Sequence, residues 1–439
     1  MKRVQNGLEL ARNRAGRVNA AGVSRASALR RDIDSNSKTP YRLLTAFAVS
    51  AMVALGAMQD VSASEEFLVP LPGDHAQDFL EGISSTTNCP GFPAPNPDQP
   101  MNSVTDFVAR VNNTIIVIDH WEDGYEPNIA GIADGDIPTQ STTRIYGDGN
   151  VANGAAPGVT VDANDVLLQG QVVVFEESIN TDTQLNDVEI TGAAITGGGT
   201  RTRDGVDGAD RIFATETINV TRAQWAGTYD PNNVGTSQSG TLFAGAFELF
   251  PQSQWGESFT LPVGEDSGAP EFEWTGVTIM AARDGTSVSV DANADGDFTD
   301  PGDINGQVIN RGQTIEVSGR NDIGGSGTGM NGGARIFSSD IVQVNILSGQ
   351  ECTTYASRWF TLFPDALLGN TYYEPVSTPA GAETLIYLYN PSPNPITINW
   401  ETSAGVQTPI VVQANETVSQ QLPTGTGAKF YTGTTATFG

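Results

Sequence analysis

Phe247–Val263 reads FELFPQSQWGESFTLPV, and Phe360–Val376 reads FTLFPDALLGNTYYEPV. Both obey F-x-L-F-P-x4-G-x2-[FY]-x2-P-V, with no gap and an offset of 113 residues. Agreement at eight spaced positions marks an internal repeat. The segments downstream of the two copies also match. Val277–Met280 and Leu385–Leu388 read as apolar strands. Turns at Arg283–Thr286 and Asn390–Pro393 lead to alternating strands at Val288–Val290 and Ile396–Ile398. Val308–Thr314 then matches Val411–Thr417, and Gly333–Phe337 matches Gly427–Tyr431.

A more diverged copy lies upstream. Its opening strand reads as Thr114–Ile118, Val159–Asn164 matches Val288–Asn293, Val166–Gln171 matches Val308–Gln313, and Ala209–Phe213 matches Ala334–Phe337 with one insertion. The expected fold is therefore all-β, built from repeated antiparallel β modules of six to eight short strands in a propeller-like or stacked β-sandwich arrangement. The run of short hairpins tips this reading toward the propeller. The expected divisions are 1–63, 64–225, 226–350 and 351–439. The third repeat stops short at Gly439, which leaves an edge strand exposed and points to continuation into further surface domains.

Composition agrees. The 439 residues include 49 Gly and 24 Pro, suiting many strands and tight turns, and no long helical periodicity is found after residue 64. Residues 1–42 hold ten of the 22 Lys+Arg; an apolar run, Leu43–Ala57, and a small-x-small pattern at Val61-Ser62-Ala63 come next. That order describes a secretory signal, with a retained interfacial helix as the alternative. The run is too short for a comfortable membrane span, so no span is expected after its removal. Residues 64–439 carry 12 Lys+Arg against 47 Asp+Glu. Such a surface repels nucleic acid and anionic membranes and favours divalent cations. The expected location is secreted or on a bacterial cell surface. There, Cys89 and Cys352 either pair as a disulfide or remain two free thiols.

The run F-P-x4-G-x2-F-x2-P-V, D-G-T-x-V-x-V (Asp284–Val290), G-Q-x3-V (Gly312–Val317) and ARIFSSDIVQV (Ala334–Val344) resembles the N-terminal IgGFc-binding domain family. It is also similar to amino-terminal modules of large bacterial surface proteins that carry DHWEDGYE, here Asp119–Glu126. The resemblance spans residues 65–439. It implies an extracellular adhesive or structural module with a glycan or protein ligand, and it carries over no catalytic residue.

Two stretches could carry chemistry. Asp291–Asp303 (DANADGDFTDPGD) places Asp291, Asn293, Asp295 and Asp297 at alternate positions around Gly296, as calcium loops do. Its twelfth residue is Gly302 rather than Glu, with Asp300 and Asp303 beside it. Two readings stand: a weak Ca2+ site, or a solvated acidic hairpin tip. The second stretch, Asp119–Glu126, comes directly after an apolar strand. Alternation puts Asp119, Trp121 and Asp123 on one side and His120 and Glu122 on the other, before a turn at Asp123-Gly124. It reads as a structural hairpin, as a second cation site of Asp119, Asp123, Glu126, Asp134 and Asp136, or as a ligand or catalytic site. A glycosidase would need two of its carboxylates, from Asp119, Glu122 or Glu126, facing across a sugar cleft. A zinc site needs more nitrogen or sulfur donors than this stretch offers, and with only His75 and His120 in the chain a zinc hydrolase is all but excluded. There is no G-x-S-x-G elbow and no phosphate loop. The tryptophans 225, 255, 274, 359 and 400 read first as packing residues, then as a sugar-stacking surface.

Overall fold

The computed structural model describes residues 64–73, 75–76, 79, 101–121, 124–133, 143–150, 165–179, 206–226, 244–318, 329–350, 357–375, 377, 384–433 and 435–439. The signal-like segment, Cys89, Cys352, Glu122, Asp123, Asp134, Asp136 and Val159–Asn164 lie outside them.

The fold is all-β, in antiparallel sheets. The first set of strands is β1 (Glu65–Leu68), β2 (Met101–Ala109), β3 (Ile116–Asp119), β4 (Arg144–Tyr146), β5 (Val172–Ile179), β6 (Arg211–Ala214), β7 (Ile218–Ala226) and β8 (Ala244–Leu249). They form two four-stranded sheets, β1-β6-β3-β4 and β5-β2-β7-β8. Period-two alternation turns one face of each inward. Phe67, Ile116, Ile118 and Ile212 from the first sheet meet Phe107, Val173, Phe175, Val220 and Phe247 from the second in one buried core. A short helical turn, α1 (Ile129–Ile132), covers the outer face of the first sheet over Val117, Ile145 and Phe213.

The second set repeats this plan. Its strands are β9 (Gly256–Thr260), β10 (Trp274–Ala281), β11 (Thr286–Asp291), β12 (Ile304–Ile309), β13 (Thr314–Ser318), β14 (Arg335–Gly349) and β15 (Ser357–Leu362). The 15-residue β14 takes the place of β6 and β7 together. Its first half pairs β9 and β11. After a bulge between Phe337 and Val342, its second half pairs β10 and β15. Val288, Val290 and Ile336 thereby face Val277, Ile279, Val344 and Ile346 across one core. The third set is β16 (Thr371–Glu374), β17 (Thr384–Tyr389), β18 (Ile396–Thr402), β19 (Gly405–Val406), β20 (Ile410–Val412), β21 (Thr417–Leu422) and β22 (Ala428–Thr432). It pairs β16-β22-β18-β20 as the second set pairs β9-β14-β11-β12, and β17-β21 as β10-β13.

The first and third sets pack two sheets around a shared core, and the second folds one seven-stranded sheet over on itself at the β14 bulge around a single core, so each set is sandwich-like rather than a flat propeller blade. The short hairpins that suggest blades link strands within and between the two sheets. The strand expected to open the upstream copy, Thr114–Ile118, overlaps β3 and is preceded by β1 and β2.

One turn shows how closely the three sets agree. Asn310 N–H donates to the Gln313 side chain, Gln313 N–H donates back to Asn310 O, and Gly312 between them has φ +74°. Gln413, Glu416 and Asn415 (φ +54°) repeat it, as do Leu168, Gln171 and Gly170 (φ +84°). A left-handed residue is needed there, which explains two glycines and one asparagine.

The repeated motif lies where sandwiches join. Its first half, β8 or β15, is the last strand of the preceding sandwich. Pro251 or Pro364 then opens a 3-10 turn (Gln252–Gln254 or Asp365–Leu367), and its second half, β9 or β16, starts the next sandwich. The two copies also touch. Phe250 stacks on Phe363 at 5.0 Å between centroids, Ser258 Oγ donates to Asp365 at 2.6 Å, and Gly256 sits against Pro364. The motif recurs because each copy packs on the next. Trp274, Leu347 and Trp359 of the second sandwich enter the core of the first. Trp255 and Trp400 are also buried, so these four tryptophans serve packing. Among the described residues no helix is long and apolar enough to cross a membrane.

Candidate functional site

Aligning the sandwiches by strand register brings three acids to one position. Asp119 at the end of β3 faces Arg211, Asp291 at the end of β11 faces Arg335, and Glu401 near the end of β18 faces Lys429. The segments after these acids differ most between copies: 120–143 before β4, 292–303 before β12, and 403–409 before β20. Both stretches singled out from the sequence are therefore one site type, a variable loop after an acid-ended strand. Sequence matching alone pairs Asp291 with Asp162 instead. The detectable signal is the pairing of VIDH, VSVDA and INWET with DRIF, ARIF and AKFY.

In the first sandwich this position is buried. Asp119 Oδ2 accepts the Glu126 N–H at 2.9 Å and lies 3.9 Å from the Arg211 guanidinium. Arg211 also donates to Glu66 (2.8 Å) and to Glu126 O (2.9 Å). Burial pushes the Asp119 carboxyl up to about 7, against the pull of the Glu126 amide and Arg211. The alternation expected from sequence stops at Asp119. His120 is buried too, with Nδ1 2.8 Å from Asp210 Oδ2, which also accepts the Asp207 N–H. A carboxylate only accepts, so Nδ1 carries the proton. The chain then turns, with Gly124 N–H donating to Trp121 O, so strand alternation no longer applies. Trp121 and Tyr125 pack between the first two sandwiches against Leu68, Trp255 and Met280. Tyr125 Oη donates to Ala209 O at 2.7 Å, and Arg311 lies 5.9 Å from its ring centroid. Burial raises the Tyr125 phenol above its ordinary value. Of the five residues suggested for a second cation site, the structure describes Asp119 and Glu126. It joins them through the Glu126 backbone amide.

In the second sandwich the loop is open. Asp291 accepts the N–H groups of Asp295 (3.2 Å) and Gly296 (3.0 Å). Asp303 accepts those of Ala292 (2.9 Å) and Asp300 (3.0 Å), closing the loop at its base. Asn293 donates to Asp300 at 2.9 Å. Asp295, Asp297 and Asp300 converge, with carboxylate oxygens within 4.8 Å of one another. The Asp297 amide holds Asp295 below its ordinary range, whereas burial raises Asp291. Hard oxygen donors in this arrangement suit a divalent cation. A cleft of about 380 Å³ opens beside them, lined by Asp291, Asp295, Phe298, Arg335, Phe337 and Asn415. Phe298 meets Phe337 edge to face at 6.1 Å.

In the third sandwich the position is reduced to a surface ion pair, Lys429 Nζ to Glu401 at 3.1 Å, with Lys429 also over the Tyr431 ring. No protein-family model and no curated protein matches the chain.

Proposed function

We infer that the chain is an exported binding or structural module of a bacterial surface: a β-sandwich array that carries variable loops toward a glycan or protein ligand. The observation that supports this most is the shared junction. Each linking motif closes one sandwich and opens the next, so its two halves are each held by strand pairing, one in either sandwich, with a short 3-10 turn between them rather than a free linker. That construction suits a load-bearing or presenting role. The Asp119 carboxylate of the DHWEDGYE stretch engages the Glu126 backbone amide and Arg211, which favours structural duty for it over hydrolysis. In this reading the Asp295/Asp297/Asp300 loop takes Ca2+ and stiffens the rim. The sequence resemblance to surface-protein amino-terminal modules points the same way.

The test is expression of the full chain in a bacterial host, with fractionation of the culture. The reading expects it outside the cell, with a mature N-terminus near Ser64 and with no saccharide hydrolysis. An intracellular, unprocessed chain, or a glycosidase activity lost in Glu126→Gln, would sink it. For the loop, dissociation constants of about 10⁻⁴–10⁻³ M give roughly 1.4–2.7 kcal/mol of stabilisation at about 10 mM calcium. Melting should rise by a few degrees with calcium over chelator, and this rise should vanish in Asp295→Ala/Asp300→Ala.

A further inference from the structure

We propose that Asn305 is a self-modification site, at which the side-chain amide closes on the main-chain nitrogen of Gly306, loses ammonia and is hydrolysed to aspartate or isoaspartate. The sequence holds four Asn-Gly pairs, and in an unfolded chain all are alike. Asn6-Gly7 and Asn153-Gly154 lie outside the described residues. The other two, Asn305-Gly306 and Asn331-Gly332, directly follow Ile304 and Met330, which both pack in the core of the second sandwich. The structure separates them.

Asn305-Gly306 is the bulge of β12. Ile304 lies opposite Val290 and Gln307 opposite Val288, so these two residues share Ser289 and fall outside the ladder register. Gly306 has φ +70°, and a Cβ there would meet only Ser289 Oγ, at 3.6 Å. Its N–H donates to the same hydroxyl at 3.0 Å, a neutral contact at the surface. Asn305 is exposed, and among the described residues its side chain has no hydrogen-bond partner. Nothing holds the carboxamide away from the Gly306 nitrogen, and glycine puts no side chain in the path of a five-membered ring. Asn331-Gly332 is held at each polar group instead. Asn331 N–H donates to Ala292 O at 2.9 Å, Ala334 N–H donates to Asn331 O at 3.0 Å, and Asn331 Nδ2 donates to Asn293 O at 3.3 Å. Gly332 N–H donates to the Asp266 carboxylate at 2.6 Å. Ring closure there must break the side-chain bond and turn a backbone pinned on both sides.

Water is the only co-reactant. The Gly306 nitrogen gives its proton to hydroxide and attacks Asn305 Cγ. The N–Cγ bond forms, the Cγ–Nδ2 bond breaks, and ammonia leaves with a proton taken from water. Water then opens the succinimide at either carbonyl, and no group is oxidised or reduced. Both products place a new carboxylate two residues beyond Asp303, which closes the acidic loop at its base. Isoaspartate also lengthens the main chain by a methylene inside β12, next to Ile304, which packs on the core. The exit of the loop is therefore where the age of the chain is recorded. The inference is independent of the proposed function, since the chemistry needs no ligand.

The test is incubation of the full, folded chain in mildly alkaline buffer, followed by digestion, mass mapping and labelling with an isoaspartate-specific methyltransferase. Isoaspartate should accumulate at position 305, faster as pH rises. It should form there about tenfold or more faster than at position 331, where hydrogen bonds must first be given up. In urea the two sites should react at similar rates, because only the fold tells them apart. Asn305→Gln, which would have to close a larger ring, should abolish the signal at 305 and leave position 331 unchanged. No isoaspartate at 305 in the folded chain, equal rates at the two folded sites, or a difference that persists in urea would overturn the proposal.

Discussion

Asp119→Asn removes one ionisation from the interior while keeping the side chain's size and an oxygen to accept the Glu126 N–H. In the folded chain the Asp119 carboxyl titrates at about 7. In the unfolded chain it titrates near 3.9, so the folded state holds this proton more tightly over about three pH units. Below the unfolded value both states are protonated and the stabilising contribution is fully present. As pH rises through the window, the unfolded state gives up its proton first and stability falls by about 1.4 kcal/mol per unit, roughly 4 kcal/mol by pH 7. Asparagine has no such window. Urea unfolding of both proteins from pH 4 to 8 should therefore give curves that separate in favour of the variant as pH rises, then run parallel above about pH 7. Curves parallel throughout, or a variant that loses ground with rising pH, would refute the assignment of Asp119 as a desolvated acid that Arg211 only partly compensates.

Gly312→Ala and Trp359→Ala, with Gly285→Ala as a control, probe the junctions by their effect on urea midpoints. Gly312→Ala and Gly285→Ala impose the same φ penalty at +74°, but a Cβ at 312 would lie 2.0 Å from Tyr125 Oη while one at 285 meets nothing. Gly285→Ala should cost about 1–2 kcal/mol and Gly312→Ala a further 1–3 kcal/mol, part of which Tyr125→Phe should restore. Trp359→Ala should cost about 3–5 kcal/mol, because its buried ring lies against Gly245 of the preceding sandwich as well as in its own sheet.

The sandwiches were legible from Phe247–Val263 and Phe360–Val376 because those residues answer to each other in space. Phe250 must stack on Phe363 and Gly256 must admit Pro364, so the two copies are held to one pattern. The choice between blade and sandwich was not legible. Both have short alternating strands, and what separates them is which strands pair across long sequence distances. Strand β14 is the clearest case: it reads as one long strand, yet past its bulge it leaves β11 and pairs β10 and β15 on the other side of the core. The motif's division between two sandwiches was hidden for the same reason, since local sequence records a strand but not its partner.

The candidate sites were half legible. Each loop was visible by its carboxylates, but their common origin was not, because the insertions after Asp119 and Asp291 differ in length and hide the register. Once Asp119, Asp291 and Glu401 are set side by side, a gradient appears. The same acid–base pair is buried at the first junction, half-enclosed beside an acidic cleft in the second sandwich, and solvent-facing in the third. What changes along it is the cover that the loop brings: Trp121 and Tyr125 in the first, an open Asp turn in the second, and a tight hairpin in the third. A scaffold that keeps one strand end constant and varies the loop beyond it separates folding from recognition. The second loop is then the place to look for a ligand, because its carboxylates are the ones that converge without being sealed.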